Sequence, residues 1–261
     1  RGAHLIEPDI GRMASGLEGR GRLPETHVLI GEIRRILGMS GVLKGRQIVV
    51  TAGGTQEDID PVRFVTNRSS GKQGYAVAQA AIDAGAEVVL ISTVELLAPV
   101  GARMLSVRSA QEMLNAVVAQ SEFSDVLVMA AAVADFTPVE TARHKIKKKD
   151  GQSALHLDLK RTIDILAQLN ETKRDRPLVT VGFAAETRDL LENAGAKLKR
   201  KGLDFIVAND VSAGDAGFAV DDNRVTVLTR SGERFEYPLQ SKVDVAEMIV
   251  GRIGAISTEK G

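Results

Sequence analysis

Two short motifs of glycine and serine lie close together in the chain and have the composition of anion-binding turns. Gly53 and Gly54 follow a short β-branched run, and Ser69, Ser70 and Gly71 precede the next apolar run. Glycine has no Cβ, so a ligand can touch the backbone there, and free N–H groups at a helix start attract anions such as phosphate. An ordinary loop and helix cap would explain either motif alone. The presence of both motifs on one strand–helix unit predicts a ligand site.

Small residues also follow two later apolar runs. Ala131, Ala132 and Asp135 come after one run, and Phe183 lies among small residues at the end of another. In open α/β sheets, ligands bind at the carboxyl ends of the strands. Asp135 is the carboxylate best placed to hold Mg²⁺ that bridges phosphates, although it could equally accept a hydrogen bond from a ribose. A tightly packed helix start would explain the alanines as well.

Three lysines could supply positive charge to a ligand at this edge. Lys145 lies in a basic run ten residues after Asp135, and Lys197 and Lys201 are one helical turn apart. Residues at i and i+4 share one face of a helix. Lysines in the last turn of a helix also complement its dipole, and a run of lysines is commonly a solvated face. Both alternatives remain open.

The order of elements predicts an α/β fold of the Rossmann-like, doubly wound type, with a mostly parallel sheet and helices on both faces. The predicted strands are residues 47–50, 87–91, 103–107, 125–129, 177–183 and 203–208. The predicted helices are residues 26–37, 75–84, 110–119, 186–200 and 242–253.

Three segments depart from this rhythm. An Asp-Gly pair at residues 150–151 lies between the basic run and alternating apolar residues at 155–159, which predicts an antiparallel flap. A second hairpin is predicted from residues 224–229 and 233–237. The first 25 residues are rich in glycine with few periodic apolar positions, and they look like a piece of something longer.

Length and composition restrict the class of function. The 261 residues suffice for one large or two small domains, and 34 basic against 34 acidic residues give no general attraction to nucleic acid or anionic membranes. The absence of cysteine excludes disulfides, thiolate metal sites and cysteine nucleophiles. No apolar run approaches the roughly 20 residues that span a bilayer. We therefore expect a soluble, cytoplasmic protein.

The sequence lacks several catalytic motifs. It has no P-loop, no HExxH and no GxSxG, and its histidines lie in the tail, the first helix and the flap. An NAD(P)-dependent Rossmann-type reductase is the alternative suggested by a strand followed by Gly53 and Gly54. That pair lacks the GxGxxG spacing, and the second strand ends at Ser92 and Thr93 instead of a carboxylate. The reductase is therefore the second choice.

Six motifs in this order resemble those of the phosphopantothenate–cysteine ligase family, the synthetase half of the bacterial bifunctional coenzyme A biosynthesis protein. They are residues 51–55 (TAGGT), 59–71 (IDPVRFVTNRSSG), 131–135 (AAVAD), 145–148 (KIKK), 182–187 (GFAAET) and 208–211 (ANDV). The resemblance implies a ligase domain at residues 44–261. It also implies that residues 1–43 are a remnant of an upstream flavin-dependent decarboxylase half plus a linker. Because Ser15 stands where many decarboxylases carry cysteine, no decarboxylase activity is expected.

The resemblance implies a reaction in two steps. The carboxylate of 4′-phosphopantothenate attacks the α-phosphate of CTP, which releases pyrophosphate and leaves an acyl-cytidylate. The amine of L-cysteine then displaces CMP and gives 4′-phosphopantothenoylcysteine. No protein nucleophile is needed, so positioning and neutralisation of charge, with Mg²⁺ on the phosphates, should supply most of the acceleration. The spacing of the motifs does not distinguish CTP from ATP.

The family also implies roles for individual residues. Asn67 would hold the carbonyl region of the intermediate, with Arg63 beside it near a subunit contact, and Lys145 would be needed to form the intermediate. The nucleotide is expected to meet Gly53, Gly54, Ser69, Ser70, Gly71, Ala131, Ala132, Asp135, Lys145, Phe183, Lys197 and Lys201.

The family implies partners as well. Its members are homodimers that pair through strands on the flap side, and the upstream half, which alone would bind FMN, would produce a larger assembly. The expected small-molecule partners are CTP, 4′-phosphopantothenate and L-cysteine. No nucleic acid and no membrane is expected to bind.

Overall fold

The structure, a computed structural model, describes residues 2–13, 15–148, 153–172, 175–186, 189–210 and 222–259. The strands are β1 (Asp9–Arg12), β2 (Glu18–Arg22), β3 (Gln47–Ala52), β4 (Gln56–Asp58), β5 (Phe64–Thr66), β6 (Glu87–Ser92), β7 (Arg103–Ser106), β8 (Val126–Met129), β9 (Phe136–Pro138), β10 (Leu159–Arg161), β11 (Val179–Glu186), β12 (Phe205–Asp210), β13 (Asp222–Asn223), β14 (Val225–Thr229), β15 (Arg234–Glu236) and β16 (Gln240–Ser241). The helices are α1 (Thr26–Gly38), α2 (Lys72–Asp83), α3 (Ala110–Ser121), α4 (Ile165–Glu171), α5 (Leu190–Arg200) and α6 (Lys242–Glu259).

The described residues form one central sheet in the order β7-β6-β3-β8-β11-β12-β14-β15. The strands from β7 to β12 run parallel, and β14 and β15 add an antiparallel edge. The chain moves outward from β3 to β7 and then returns to place β8 beside β3. This is a doubly wound order whose reversal lies between β3 and β8. The predicted fold class is confirmed.

The sheet is buried on both faces because its inner strands are almost entirely apolar. Ile48 and Val50 belong to a core shared with α2 and α6, whereas Val49 belongs to a core shared with α3, α4 and α5. All three residues are fully buried. Successive side chains of a strand point to opposite faces, so a strand between two helix layers needs a continuous apolar run.

The predicted core strands and helices are all present, but two helices begin elsewhere than predicted. Helix α2 begins at Lys72, three residues early, because Gly71 adopts a left-handed conformation with φ of 76° and starts the helix directly. Helix α5 begins at Leu190, because residues 182–186 continue β11 and pair with β12. The hairpin of β14 and β15 is confirmed.

Several short elements of the described chain were not predicted. They are the hairpin of β1 and β2, the hairpin of β4 and β5, helix α4, and the pair of β13 and β16. These elements are short or exposed, so they lack the apolar periodicity on which the prediction rested. None of the described helices is both long and apolar enough to cross a membrane.

The flap has an antiparallel base, as predicted. In that base, β9 pairs with β10, with Phe136 opposite Arg161. The predicted strand at residues 155–159 is wrong except for Leu159, since residues 153–158 have no regular structure. Residues 139–148 are also irregular, because Ala142 and Ile146 bond to the β4–β5 turn instead of to an opposing strand. The Asp-Gly turn at 150–151 lies outside the described residues.

Candidate functional site

The segments that follow β3 and β8 lie side by side at the reversal point of the sheet. The Ala132 amide donates to the Gly53 oxygen at 2.8 Å, and the Thr55 amide donates to the Ala132 oxygen at 3.2 Å. Gly54 and Ala132 form a parallel bridge. The glycine pair and the alanine segment, predicted separately from the sequence, therefore meet in a crevice at the carboxyl edge of the sheet.

Glycine is required at three positions of this crevice. Gly53 and Gly71 have φ of 86° and 76°, which favour glycine. A Cβ on Gly54 would lie 2.5 Å from the Asn67 oxygen, and a Cβ on Gly71 would lie 2.4 Å from Val94 Cγ2. These close approaches bring Asn67 and the start of α2 against the glycine turn.

Helix α2 directs its N-terminus toward the crevice. Its N-cap, Gly71, provides no side-chain hydrogen bond to the first turn. Ser69 and Ser70 are half-buried immediately before it. The N–H groups of a first helical turn and the positive end of the helix dipole favour an anion at this place.

A cavity of about 1070 Å³ occupies this edge of the sheet. Ten predicted site residues line it: Asn67, Ser69, Ser70, Gly71, Ala131, Ala132, Asp135, Phe183, Lys197 and Lys201. Ligand pockets commonly measure about 300–1,000 Å³. The cavity therefore has room for a nucleotide together with a second small substrate.

Four predicted site residues do not line the cavity. Gly53 and Gly54 lie behind the alanine segment, where they hold it in place through the contacts given above. Lys145 is exposed on the irregular part of the flap. Arg63 lies in the β4–β5 turn and forms an ion pair with Asp60.

Asp60 is fully buried and receives hydrogen bonds from several donors. Its Oδ1 accepts from the amides of Val62 and Arg63, each at 2.9 Å, and its Oδ2 accepts from Arg63 Nε at 3.1 Å. The guanidinium of Arg63 holds the pKa of Asp60 far below its usual range, and it outweighs the opposing effect of burial. Asp60 is thus an ionised structural carboxylate beneath the flap.

Helix α5 and its C-cap residue bring positive charge to one side of the cavity. Lys197 and Lys201 share one helix face, as predicted, and both line the cavity. Lys197 Nζ donates to the Phe183 oxygen at 2.8 Å, and Lys201 forms an ion pair with Asp164. Burial lowers the pKa of Lys201, and Asp135 partly opposes that shift. A bound anion would stabilise the protonated amine of Lys201, which burial has partly removed from water.

The sequence did not single out several polar residues of the lining. They are Arg68, Gln73, Arg161, Thr162, Asp164, Arg200, Asn209, Asn223 and Lys242. Arg161, Thr162 and Asp164 follow a strand that was not predicted, so no periodicity marked them. Arg68 and Asn209 did carry a signal, since they lie inside the motifs at residues 59–71 and 208–211.

Three side-chain amides of this lining form a hydrogen-bonded chain. Asn209 Nδ2 donates to Asn223 Oδ1, Asn223 Nδ2 donates to Gln73 Oε1, and Gln73 Nε2 donates to the Lys242 oxygen, each at 3.0 Å. A backbone carbonyl can only accept a hydrogen bond. The Lys242 carbonyl therefore fixes the orientation of all three amides, and the chain ties the ends of β12 and β13 to the starts of α2 and α6.

A divalent cation would find few protein ligands here. Among the described residues, no group of three or more His, Cys, Asp or Glu could hold a metal ion. Asp135 and Asp164 are the carboxylates of the lining. Mg²⁺ is commonly bound by one or two carboxylates together with substrate phosphates and water, and Asp135 fits that arrangement.

A family model described as the DNA/pantothenate metabolism flavoprotein C-terminal domain matches residues 43–256. The chain belongs to this family. The match includes all six motifs quoted from the sequence, and the resemblance drawn from them is confirmed.

A similar bacterial protein and a similar crystal structure agree with this assignment. The coenzyme A biosynthesis bifunctional protein CoaBC of Bacillus subtilis (strain 168) is 48% identical over 261 residues, which cover 98% of this chain and 63% of that protein. The chain therefore spans less than two thirds of that relative. The crystal structure of the C-terminal domain of a CoaBC protein is 40% identical with a TM-score of 0.71, and the match covers 84% of this chain and 100% of that chain.

A second solved structure supports the fold of the family. The DNA/pantothenate metabolism flavoprotein from Streptococcus pneumoniae is 26% identical with a TM-score of 0.70, and the match covers 81% of this chain and 100% of that chain. None of these relatives supports the NAD(P)-dependent reductase.

Proposed function

We propose that this chain joins 4′-phosphopantothenate to L-cysteine with CTP, as a phosphopantothenate–cysteine ligase of coenzyme A biosynthesis. One observation carries the proposal. Four of the six family motifs contribute residues to a single cavity, which combines a helix N-terminus, a backbone segment of small residues and two lysines, in a chain 48% identical to a coenzyme A biosynthesis protein.

The cavity suits a reaction that needs no protein nucleophile. The substrate carboxylate oxygen would bond to the α-phosphorus of CTP, and the bond to the β-phosphate would break and release pyrophosphate. The cysteine amine would then attack the acyl carbon, lose a proton and expel CMP. The first step brings two anions together and the second expels an anionic leaving group, so the protein must align the reactants and neutralise their charge.

Phosphate groups would be bound from two sides. The uncapped start of α2, with Ser69 and Ser70, offers N–H and hydroxyl donors, and Lys197 and Lys201 offer charge from α5. A helix N-terminus favours phosphate through its free N–H groups and its dipole. Mg²⁺, when bound at Asp135 and the phosphates, would neutralise charge that develops on the leaving pyrophosphate.

The base and the acyl group would lie on the alanine side of the cavity. The backbone near Ala131, Ala132 and Phe183 would frame the cytosine. Asn67 would contact the carbonyl region of the intermediate, since it lines the cavity and its amide is held by the Val133 oxygen at 3.1 Å. Arg63 would act beside it, from the turn beneath the flap.

Lys145 has no place in the cavity of its own subunit as the structure stands, since it lies exposed on the flap. For Lys145 to act on a nucleotide, the flap must therefore approach that nucleotide. Acting there, its ammonium group would assist formation of the acyl-cytidylate.

The proposal includes a homodimer that forms through the flap side, in a cytoplasmic protein. Exposed apolar side chains on β5, β9 and β10, namely Phe64, Phe136 and Leu159, support such a contact. It also includes a ligase domain at residues 44–261, preceded by the end of a decarboxylase half that would bind FMN upstream.

A pyrophosphate assay tests the proposal. The folded chain, given CTP, Mg²⁺, 4′-phosphopantothenate and cysteine, should release pyrophosphate and CMP in equal amounts and form 4′-phosphopantothenoylcysteine by mass spectrometry. Replacing CTP by ATP tests the choice of nucleotide. CTP binding without pyrophosphate release would instead indicate a nucleotide-sensing module. Tight binding of NADPH with no binding of CTP would favour the reductase.

A further inference from the structure

The irregular part of the flap is fastened to the β4–β5 turn. The Ala142 amide donates to the Ile59 oxygen at 2.9 Å, and the Thr141 hydroxyl donates to the Asp58 oxygen at 3.1 Å. These bonds hold the beginning of the basic segment at residues 141–148. A separate contact, through side chains of the turn, holds its middle.

That second contact uses both backbone groups of Ile146. The Ile146 amide donates to Asp60 Oδ2 at 3.1 Å, and the Ile146 oxygen accepts from Arg63 Nη2 at 3.0 Å. Arg63 and Asp60 are themselves paired. The pair therefore binds Ile146 as a neighbouring strand would, but with side chains, and it fixes the backbone next to Lys145.

We propose that Asp60 is a positioning residue for Lys145: its buried carboxylate orders Arg63, and together they clamp Ile146. The inference rests on the proposed function, since it assigns the clamp to formation of the acyl-cytidylate. Asp60 does not line the cavity and is fully buried, so it acts through the flap and not on a substrate.

The clamp requires a carboxylate at this position. Every contact of both Asp60 oxygens named above comes from an N–H donor. An amide in its place would direct an NH₂ group at donors in either orientation, and the charge of Arg63 would lose its partner. Asp60→Asn therefore releases Ile146 while it changes the volume of the side chain very little.

Asp58→Asn is a matched control. Asp58 belongs to the same hairpin and its carboxylate pairs with Arg108 at 2.7 Å, while its backbone oxygen, which the variant retains, is the atom that Thr141 contacts. Ile146→Pro is a second test variant. It removes the amide that Asp60 binds and leaves the pair of Asp60 and Arg63 in place, so it releases the flap without disturbing the buried carboxylate.

The first measurement is amide hydrogen exchange of the intact chain. We expect exchange within residues 141–148 to be at least about 10-fold faster in Asp60→Asn, because the opening of a clamped segment sets its exchange rate. Exchange in β3 and β8 should stay unchanged, and Asp58→Asn should match the wild type. Wild-type exchange across residues 141–148 in Asp60→Asn would overturn the inference.

The second measurement is pyrophosphate release with CTP, 4′-phosphopantothenate and cysteine all present. In Asp60→Asn and Ile146→Pro, kcat should fall about 10- to 100-fold, the size of loss that small misplacements of a catalytic group produce, while kcat/KM for cysteine stays constant because the second step is untouched. Asp58→Asn should remain within about twofold of the wild type. If kcat is unchanged in both test variants, the inference about Asp60 is wrong but the proposed function still stands. If the wild type releases no pyrophosphate, both the proposed function and the inference are rejected.

Discussion

The amide of Asn67 is held at the wall of the cavity by a backbone carbonyl. Its Nδ2 donates to the Val133 oxygen at 3.1 Å, and a carboxylate would instead direct negative charge at that carbonyl. We expect Asn67→Asp to form the acyl-cytidylate but to convert it to product about 100-fold more slowly, a loss typical of one misplaced stabilising group. Rapid-quench mass spectrometry of the intermediate and the product would measure both steps.

A matched variant controls for the change of charge. Asn115 is exposed on α3, outside the cavity, and contacts Gln111. Asn115→Asp should leave both steps unchanged. Wild-type turnover by Asn67→Asp would refute the role given to Asn67.

Lys201 should make the affinity for CTP sensitive to pH. Burial lowers the pKa of Lys201, and only the protonated amine attracts phosphate. A bound phosphate raises that pKa again, so affinity is full below the pKa of the free protein and declines as the pH rises through it. We expect the affinity for CTP to begin to fall at a lower pH than an ordinary lysine would give.

Lys201→Arg tests this explanation, because an arginine stays protonated throughout. Calorimetric titration with CTP across alkaline pH should show a flatter profile for Lys201→Arg than for the wild type. Lys199→Arg, an exposed neighbour on the same helix outside the lining, should keep the wild-type profile. Equal profiles for Lys201→Arg and the wild type would contradict the assignment.

The predicted residues Gly71, Lys197 and Lys201 line the cavity, and at each of them the chemistry and the local pattern of the sequence point the same way. Gly71 is marked by its place before an apolar run, and Lys197 and Lys201 by helical spacing. Asp164 and Asn223 carry no such mark. They reach the cavity because the fold brings segments that are distant in sequence to one edge of the sheet. A local sequence pattern does not contain that long-range information.

At the scale of elements, the start of α2 depends on one glycine. An L-residue in the left-handed region costs about 1–2 kcal/mol, and a Cβ on Gly71 would also lie 2.4 Å from Val94 Cγ2. We expect Gly71→Ala to lose roughly 2–4 kcal/mol, as strain and overpacking add. Urea unfolding would measure the loss, and a CTP titration should show weaker binding, since the uncapped N–H groups move.

Gly45→Ala separates the two causes. Gly45 has φ of 74° but nothing within 4 Å of a Cβ, so the alanine there should cost only the strain of about 1–2 kcal/mol and leave CTP binding intact. Val94→Ala combined with Gly71→Ala should recover part of the loss. Equal losses at Gly45 and Gly71 would mean that the contact with Val94 contributes nothing.

The elements themselves were predicted well where burial decides them. A strand between two helix layers must be apolar on both sides, so the run at Val88–Ile91 could be recognised without any structure. The flap was predicted less well, because the backbone of Ile146 is bound by the side chains of Asp60 and Arg63. Nothing in the local pattern of residues 139–148 indicates that contact.

At the scale of the whole molecule, the cavity is a consequence of strand order. Because the chain reverses between β3 and β8, residues from Asn67 to Lys242 meet at one edge. The sequence predicted the doubly wound class but not the order of the strands. The small residues that follow β3 and β8 indicated a ligand site but did not show that the strand order reverses between them.

The surface of the flap side predicts the state of assembly. Phe64, Phe136 and Leu159 are 41%, 48% and 44% exposed on neighbouring hairpins, and exposed apolar side chains on one side of a protein commonly mark an interface. If a second copy covers them, an aspartate at Phe136 or Leu159 would be buried without a partner, at a cost of several kcal/mol. We therefore expect Phe136→Asp and Leu159→Asp to be monomers at micromolar concentration, and the wild type a dimer, by light scattering coupled to size exclusion.

Leu97→Asp is the control for this prediction. At a position 71% exposed in the loop between β6 and β7, it should remain a dimer. A monomeric wild type, or dimers for both flap-side variants, would place the contact elsewhere.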